Sequence, residues 1–229
     1  MNRIYFVRHG EGQDNTARQF SYRKVDRPLT ERGRLQASQT AEYLSGLDID
    51  RIFCSPMKRA HETAEIIARR LGMAHTLTIL EEFREVNVGD LDGTDFSDEG
   101  WGVYHDITHG WFTGNSALSY PGGEDYVTLW ERTRTGLHTI LDGHSDCSFV
   151  LVGHGGIFTA TLKEFCPGLE IEWLQNVEYY NCAITELEVE IVNGELVGRI
   201  ADWANYQHMR GDALTRASAI PPLTSIKRV

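Results

Sequence analysis

The sequence predicts an α/β fold of three layers, with helices on both faces of a mostly parallel central sheet. Short apolar runs alternate along the chain with longer segments of helical periodicity, a pattern typical of parallel strands joined by crossover helices. The 229 residues are 41% hydrophobic and 24% charged, which is enough for one sizeable core. We therefore expect a single domain over residues 1–229.

The first third of the chain supplies three strands and two helices. The predicted strands are residues 4–7, 51–54 and 76–80. Thr30 is suited to cap a first helix that runs to about residue 45. After Pro56, apolar residues at spacings of four, three and four form one face of a second helix, which Gly72 ends.

The remaining elements follow after a long interval. The sequence predicts a helix over 126–141, an apolar strand over 148–152 and a helix that begins at Gly155 and runs to about residue 165. Late strands at 185–192 and 195–200 flank Asn193-Gly194, which favours a two-residue hairpin turn. We therefore expect an antiparallel hairpin on the sheet. Residues 90–123 are predicted to be an inserted lid, and residues 211–229 an irregular tail.

Composition narrows the class of protein. A net charge of -11 argues against nucleic-acid or anionic-membrane partners, both of which favour a basic surface. There is no signal-peptide pattern at Met1 and no apolar stretch of membrane-spanning length. The four cysteines lie far apart without CxxC pairing, so we expect core thiols. These features favour a cytoplasmic protein and leave homo-oligomerisation open.

Polar segments follow the predicted strands where open α/β sheets bind their ligands. Arg8-His9 follows the first strand, and the later segments are 55–64 (SPMKRAHETA), 84–89 (REVNVG) and 152–156 (VGHGG). An imidazole beside a guanidinium can attack phosphorus in a group whose oxygens the arginine holds. This pairing predicts phosphoryl transfer through a histidine.

In motif, order and spacing, the four segments resemble the histidine phosphatase superfamily, also called phosphoglycerate mutase-like. The resemblance spans residues 3–165 and includes 28–33 (PLTERG), which is similar to the family's entry into its first helix. It implies that a small phosphorylated molecule is the substrate. The implied reaction requires no cofactor.

The resemblance also implies a role for each residue at a motif position. His9 would be the nucleophile, and Glu85 the acid that protonates the leaving alkoxide and later accepts a proton from water. Arg8, Arg59 and His154 would complete the catalytic set by spreading positive charge over the phosphoryl oxygens. The residues expected to bind phosphate are Arg8, Asn15, Arg59, His154 and Gly155. We interpret Glu11 as structural, and we expect no metal site, because His105 and His109 lack a third ligand.

Departures from the family pattern bear on which reaction is catalysed. Val86 replaces the arginine that follows the acid in the family's mutases, and residues 85–131 contain no lysine or arginine. The first half of that segment is instead rich in aspartate, which would repel a bisphosphorylated acid. We therefore expect a phosphatase acting on a small phosphomonoester. Gly12 also stands where the family usually has a hydroxyl residue.

Two alternatives remain at the level of sequence. A basic loop keeps a 2,3-bisphosphoglycerate-dependent phosphoglycerate mutase open; its residues are Arg18, Arg23, Lys24 and Arg27. A non-catalytic relative that binds phosphorylated ligands would not need the acid. The insertion's aromatic residues either line a lid over the phosphate or fill a small core of their own; they are Phe96, Trp101, Tyr104, Trp111, Phe112 and Tyr120.

Overall fold

A computed structural model describes residues 1–170 and 179–215, and within them the chain forms one six-stranded sheet. The strands are β1 (Asn2–Arg8), β2 (Arg51–Cys54), β3 (Leu77–Ile79), β4 (Ser148–Gly153), β5 (Ile184–Val192) and β6 (Glu195–Asn205). They lie in the order β3-β2-β4-β1-β5-β6. The first four strands are parallel, whereas β5 and β6 are antiparallel additions at one edge. The predicted fold class is confirmed.

The described helices are α1 (Gln13–Ala17), α2 (Glu31–Leu44), α3 (Lys58–Arg70), α4 (Asp98–Phe112), α5 (Tyr126–Leu141) and α6 (Gly155–Thr161). Thr30 caps α2 as predicted, because its side chain accepts from the N–H of Gly33. The helix predicted from Gly155 is shorter than expected, since a 3-10 turn at Leu162–Glu164 replaces its last part. Helix α4 was not predicted. Its three glycines weaken the helical propensity of the segment, although Ser97 provides a cap.

Two apolar cores separate the sheet from its helices. Side chains of β1 alternate between them, with Ile4 and Phe6 in one core and Tyr5 and Val7 in the other. The first core packs against α5 and α6, and the second against α2 and α3. This alternation gives the predicted three layers, and it leaves the ends of the strands free to carry polar groups.

The late hairpin forms as expected. Asn193 and Gly194 join β5 to β6 with φ values of 54° and 86°, and both angles are positive, as a type I′ turn requires. The predicted tail begins with a 3-10 turn at Gly211–Leu214. The rest of that prediction, residues 216–229, lies outside the described residues.

The thiols are unpaired. Cys54, Cys166 and Cys182 are buried, and burial raises the pKa of each thiol to about 12. Cys147 is only partly buried, so the prediction of a core thiol is wrong there, because it precedes β4 near the surface. Across residues 1–170 and 179–215, no helix has the length and apolar character needed to cross a membrane.

Strand register brings the polar segments together. Arg8 pairs with Gly153, and the ladder continues one residue further through the His9 N–H, which donates to the Gly153 carbonyl at 2.9 Å. On the other side of β4, the Ser55 N–H donates to the Val152 carbonyl at 2.9 Å. The segments that follow β1, β2 and β4 therefore leave the sheet at the same edge.

Candidate active site

A cleft at this edge collects most of the residues that the sequence singled out. Arg8, His9, Asn15, Arg59, Glu85 and Gly155 line it, and it encloses about 610 Å³ of empty space, including solvent at its mouth. His154 lies just behind the lining, with its ring centroid 5.1 Å from that of His9. The structure thus places all seven predicted site residues together.

His9 is held as a neutral imidazole with one nitrogen free to react. Its Nδ1 lies 2.7 Å from the Gly10 carbonyl, so Nδ1 carries the proton and Nε2 carries the lone pair. The Nε–H of Arg59 donates to that Nε2 at 3.0 Å. Burial lowers the pKa of His9 well below 6.5, and the charges of Arg59 and Arg8 lower it further. His9 Nε2 therefore stays unprotonated at neutral pH.

Two buried guanidinium groups flank this imidazole. Arg8 donates to the carbonyl of Tyr179, and its Nε has no hydrogen-bond partner. Burial lowers the pKa of Arg8 from its ordinary value. Arg59 lies in the first turn of α3, and its Nη1 lies 3.2 Å from Asp14 Oδ2 without making a hydrogen bond. Buried donors whose hydrogen bonds are not satisfied are what an anion would bind.

His154 is fully buried beside His9. Its Nε2 lies 2.7 Å from Ser55 Oγ, whereas its Nδ1 has no hydrogen-bond partner. Burial lowers the pKa of His154 well below 6.5, and the positive charge of Arg59 lowers it further. Ser55 belongs to a motif that the sequence singled out, but its contact was not predicted. The signal in the sequence that could have predicted this contact is that Ser55 is a short polar residue at the end of β2.

Glu85 is half-buried at the entrance to α6. Its Oε2 accepts from the N–H of Gly156 at 3.1 Å, and its Oε1 from the N–H of Ile157 at 2.8 Å and of Val86 at 2.9 Å. Three backbone donors therefore fix this carboxylate at the cleft. Oε1 accepts two of these N–H groups and Oε2 only one, so Oε2 keeps a position that can carry a proton.

Asn15 lines the cleft and also stabilises the loop after His9. Its Oδ1 accepts from the Gly12 N–H at 2.9 Å, and the amide of Asn181 approaches that oxygen at 3.4 Å. Asn181 Nδ2 additionally donates to the His9 carbonyl at 3.0 Å. With its oxygen engaged, Asn15 has only its NH2 group to offer a phosphate. Asn181 was not predicted, because it lies far away in sequence.

Asp14 is an unexpected acid in the cleft. Its side chain is 2% exposed, its Oδ2 lies 3.2 Å from Arg59 Nη1 and Ser21 donates to it. Gly12 makes this placement feasible, because a Cβ at residue 12 would lie only 2.2 Å from Asp14 Oδ1. The departure at Gly12 is thus explained by the carboxylate that occupies the space.

Aromatic rings form one wall of the cleft. Phe20 contacts Phe96 and Trp101, with ring centroids 4.9 and 5.0 Å apart, and Trp101 contacts Tyr104 at 5.4 Å. Other rings of the insertion pack inward, as Trp111 does against Tyr120 at 5.5 Å. Some of the insertion's aromatic residues therefore line the cleft, and others fill a small core within the insertion. Phe20, from the loop after α1, was not anticipated.

One aspartate of the acidic insertion, Asp92, does not contribute a surface charge. Asp92 is buried and accepts backbone N–H donors from Tyr22, Arg23 and Lys24 at 2.6–2.9 Å. The insertion is thereby tied to the basic loop. Glu11 is structural, as interpreted, because it accepts from Arg32 at 2.8 Å and from Thr30 at 2.6 Å.

Comparisons with known proteins agree with this geometry. The model of the histidine phosphatase superfamily (branch 1) matches residues 4–199. The chain is 30% identical to "Putative phosphoserine phosphatase 2" of Hydrogenobacter thermophilus, over 86% of this chain and 94% of that protein. It is 33% identical to phosphoglycerate mutase-like protein 4 of Arabidopsis thaliana, over 72% of this chain and 71% of that protein.

A solved structure, Bacillus stearothermophilus YhfR, superposes with a TM-score of 0.72 at 25% identity, over 91% of this chain and 99% of that one. The family resemblance inferred from the four polar segments is therefore confirmed. The chain belongs to the histidine phosphatase superfamily.

Proposed function

We propose that the protein is a phosphatase that hydrolyses a small organic phosphomonoester through a phosphohistidine at His9. The observation that carries the proposal is the fixed tautomer of His9, whose Nε2 lone pair accepts from the buried Arg59. Glu85, which we propose as the proton donor, lies in the same cleft. A buried imidazole that stays neutral is suited to nucleophilic attack.

In the first step, His9 Nε2 attacks phosphorus while the bond from phosphorus to the ester oxygen breaks. Arg59 must release Nε2 for this attack, and its N–H groups then pass to the phosphoryl oxygens. Arg8, Asn15, His154 and the Gly155 amide complete the binding of those oxygens. Glu85 gives its proton to the departing alkoxide, so the products are phosphohistidine and an alcohol.

In the second step, water attacks phosphorus and the bond to Nε2 breaks. Glu85, ionised by the first step, accepts a proton from this water. Inorganic phosphate leaves, and both His9 and Glu85 return to their starting states. Protons balance over the two steps, so the residues of this chain suffice for the chemistry and the proposal includes no cofactor or metal.

The lining of the cleft supports a substrate with one phosphate and an uncharged or partly apolar body. Among the described residues, Arg8 and Arg59 are the only lysine or arginine side chains that line the cleft. Its other walls include Phe20, Trp101 and Tyr104, which favour rings or apolar groups. A second phosphate or a carboxylate would have no obvious cationic partner there.

Hydrolysis of 4-nitrophenyl phosphate by the wild type and by His9→Ala tests the proposal. We expect the wild type to release nitrophenol and the variant to lose at least about 1,000-fold in kcat. Hydrolysis that survives the substitution would exclude the mechanism. Absence of hydrolysis by the wild type, with retained binding of phosphorylated ligands, would favour the non-catalytic alternative.

A phosphoglycerate mutase is the second candidate, because several relatives are named phosphoglycerate mutase or mutase-like. The assay is isomerisation of 3-phosphoglycerate in the presence of the bisphosphate primer. We expect slow or no isomerisation, whereas efficient isomerisation would overturn the choice of a phosphatase. The cytoplasmic location, the single domain, the lid and the homo-oligomeric state stay predictions.

A further inference from the structure

Arg132 lies on α5, outside the lining of the cleft, yet its side chain hydrogen-bonds to the backbone around Glu85. Its Nη1 donates to the carbonyls of Glu82 at 2.6 Å and Arg84 at 2.7 Å. Its Nη2 donates to the carbonyl of Glu85 at 3.0 Å. One side chain thus satisfies three backbone acceptors within four residues.

Glu124 holds this guanidinium in place and makes further hydrogen bonds to the backbone after Glu85. Arg132 donates to Glu124 through Nε at 3.0 Å and through Nη2 at 2.8 Å, which is a two-point contact. Glu124 Oε1 also accepts from the Asn87 N–H at 2.7 Å, and the Glu124 N–H donates to the Asn87 carbonyl at 3.0 Å. The pair therefore binds the chain on both sides of Glu85.

Residues 84–88 belong to neither a strand nor a helix, so no regular ladder fixes their carbonyls. The planar guanidinium, with its five N–H donors, can reach two of these carbonyls, the Glu82 carbonyl and a carboxylate together. The side chain of Glu85 is fixed separately, by the N–H groups of Gly156 and Ile157. Backbone and side chain of this one residue are therefore held by different elements.

We propose that Arg132, together with Glu124, is a positioning residue that aims the Glu85 carboxyl at the leaving group. The proposal rests on the acid role proposed for Glu85 above. Proton transfer depends on distances that vary by tenths of an ångström, so a slack backbone at Glu85 weakens the acid without removing it. Arg132 hydrogen-bonds to Glu124 and to backbone carbonyls rather than to His9, so we expect nucleophilic attack to depend little on this contact.

The test compares two esters that differ in their need for an acid. A nitrophenolate leaves without a proton, whereas the alkoxide of 2-phenylethyl phosphate needs one. We expect Arg132→Met to lower kcat on 2-phenylethyl phosphate by about 10- to 100-fold and on 4-nitrophenyl phosphate by less than about 3-fold. Arg132→Lys should recover little, because an ammonium cannot reproduce the fork.

A double-mutant cycle sharpens the test. Glu85→Gln should show the same selectivity, and adding Arg132→Met to it should cost no more than about 2-fold further, because both act through one proton transfer. The matched control is Arg134→Met, on the same helix, whose arginine is 44% exposed and contacts an exposed Glu195 at 3.9 Å and the Gly194 carbonyl at 3.5 Å. It should leave both substrates unchanged.

Equal losses on the two esters, or losses that multiply in the double variant, would overturn the proposal and indicate a merely structural role. If Glu85→Gln itself shows no selectivity, the acid role fails and this inference falls with it. Should Arg132→Met not fold, Glu124→Gln provides the same readout, because it keeps the shape of the side chain and weakens the two-point contact. Its loss must also be confined to the alkyl ester.

Discussion

The cleft joins two regions of different construction. Its phosphate side, formed by Arg8, His9 and His154, stands at the ends of adjacent strands whose register fixes it. Its aromatic wall comes instead from a loop and the insertion, joined by backbone hydrogen bonds such as the one from the Phe20 N–H to the Thr94 carbonyl at 3.0 Å. Under the proposed function, we expect the sheet to supply the chemistry and the insertion to supply the selectivity.

The phosphate side should give the largest effects. Arg59→Met removes the donor to His9 Nε2 and a cation beside the phosphoryl group, so kcat/KM on 4-nitrophenyl phosphate should fall about 100- to 1,000-fold. The matched control is Arg69→Met, whose arginine lies on the same helix, is 70% exposed and pairs with Glu65. A loss in the control as large as in Arg59→Met would contradict this division of labour.

The aromatic wall should control affinity more than rate. Trp101→Ala should raise KM for aryl phosphates about 10-fold and leave kcat within about 3-fold, because Trp101 lines the cleft without touching the reacting atoms. It should also cost about 3–5 kcal/mol in the free energy of unfolding. Steady-state kinetics and denaturant titration measure the two quantities.

Trp111→Ala is the control for the wall. Trp111 is as deeply buried but packs against Tyr120 and Tyr126, away from the cleft. It should lose similar stability with an unchanged KM. An increase in KM as large as that of Trp101→Ala would show that the insertion acts only as a folded unit.

Asp14 should weaken the phosphate side. Its carboxylate offsets part of the charge of Arg59, so Asp14→Asn should tighten competitive inhibition by inorganic phosphate by at least about 10-fold. Weaker inhibition would mean that Asp14 matters more for orienting Arg59 than for its charge. The inhibition constant of phosphate is the measurement.

The two histidines should resist protonation. Their pKa values are lowered well below 6.5 by burial, so imidazole signals of His9 and His154 should stay those of neutral rings as the pH falls through 6.5. Arg59→Met removes a positive neighbour and should move the His9 midpoint upward. Titration by NMR tests this, and a wild-type midpoint near 6.5 would contradict it.

Much of the phosphate side was predictable from sequence, because each residue directly follows an apolar strand. Arg8, His9 and His154 stand at the ends of β1 and β4. Because these two strands are parallel neighbours in the sheet, their ends bring the three residues together. The helices α2, α3 and α5 were equally marked, by periodicity and by the cap at Thr30. Local patterns suffice wherever the structure is regular.

The other parts of the cleft depend on contacts between residues distant in sequence. Arg132 reaches Glu85 across 47 positions, and Asn181 reaches His9 across 172. Neither contact is reflected in the periodicity of the sequence. Asp14 was hidden in another way, since its burial becomes evident only when Gly12 is known to lie against it. Helix α4 was hidden by glycines that weaken its helical propensity.

The central claim is that His9 itself carries the phosphoryl group during turnover. Rapid quenching of the enzyme with an excess of phosphomonoester, followed by peptide mass spectrometry under alkaline conditions, measures this directly. We expect an acid-labile phosphoryl adduct on the peptide that contains His9, formed at least as fast as turnover and missing in His9→Ala. Turnover without such an adduct, or an adduct on His154 instead, would contradict it.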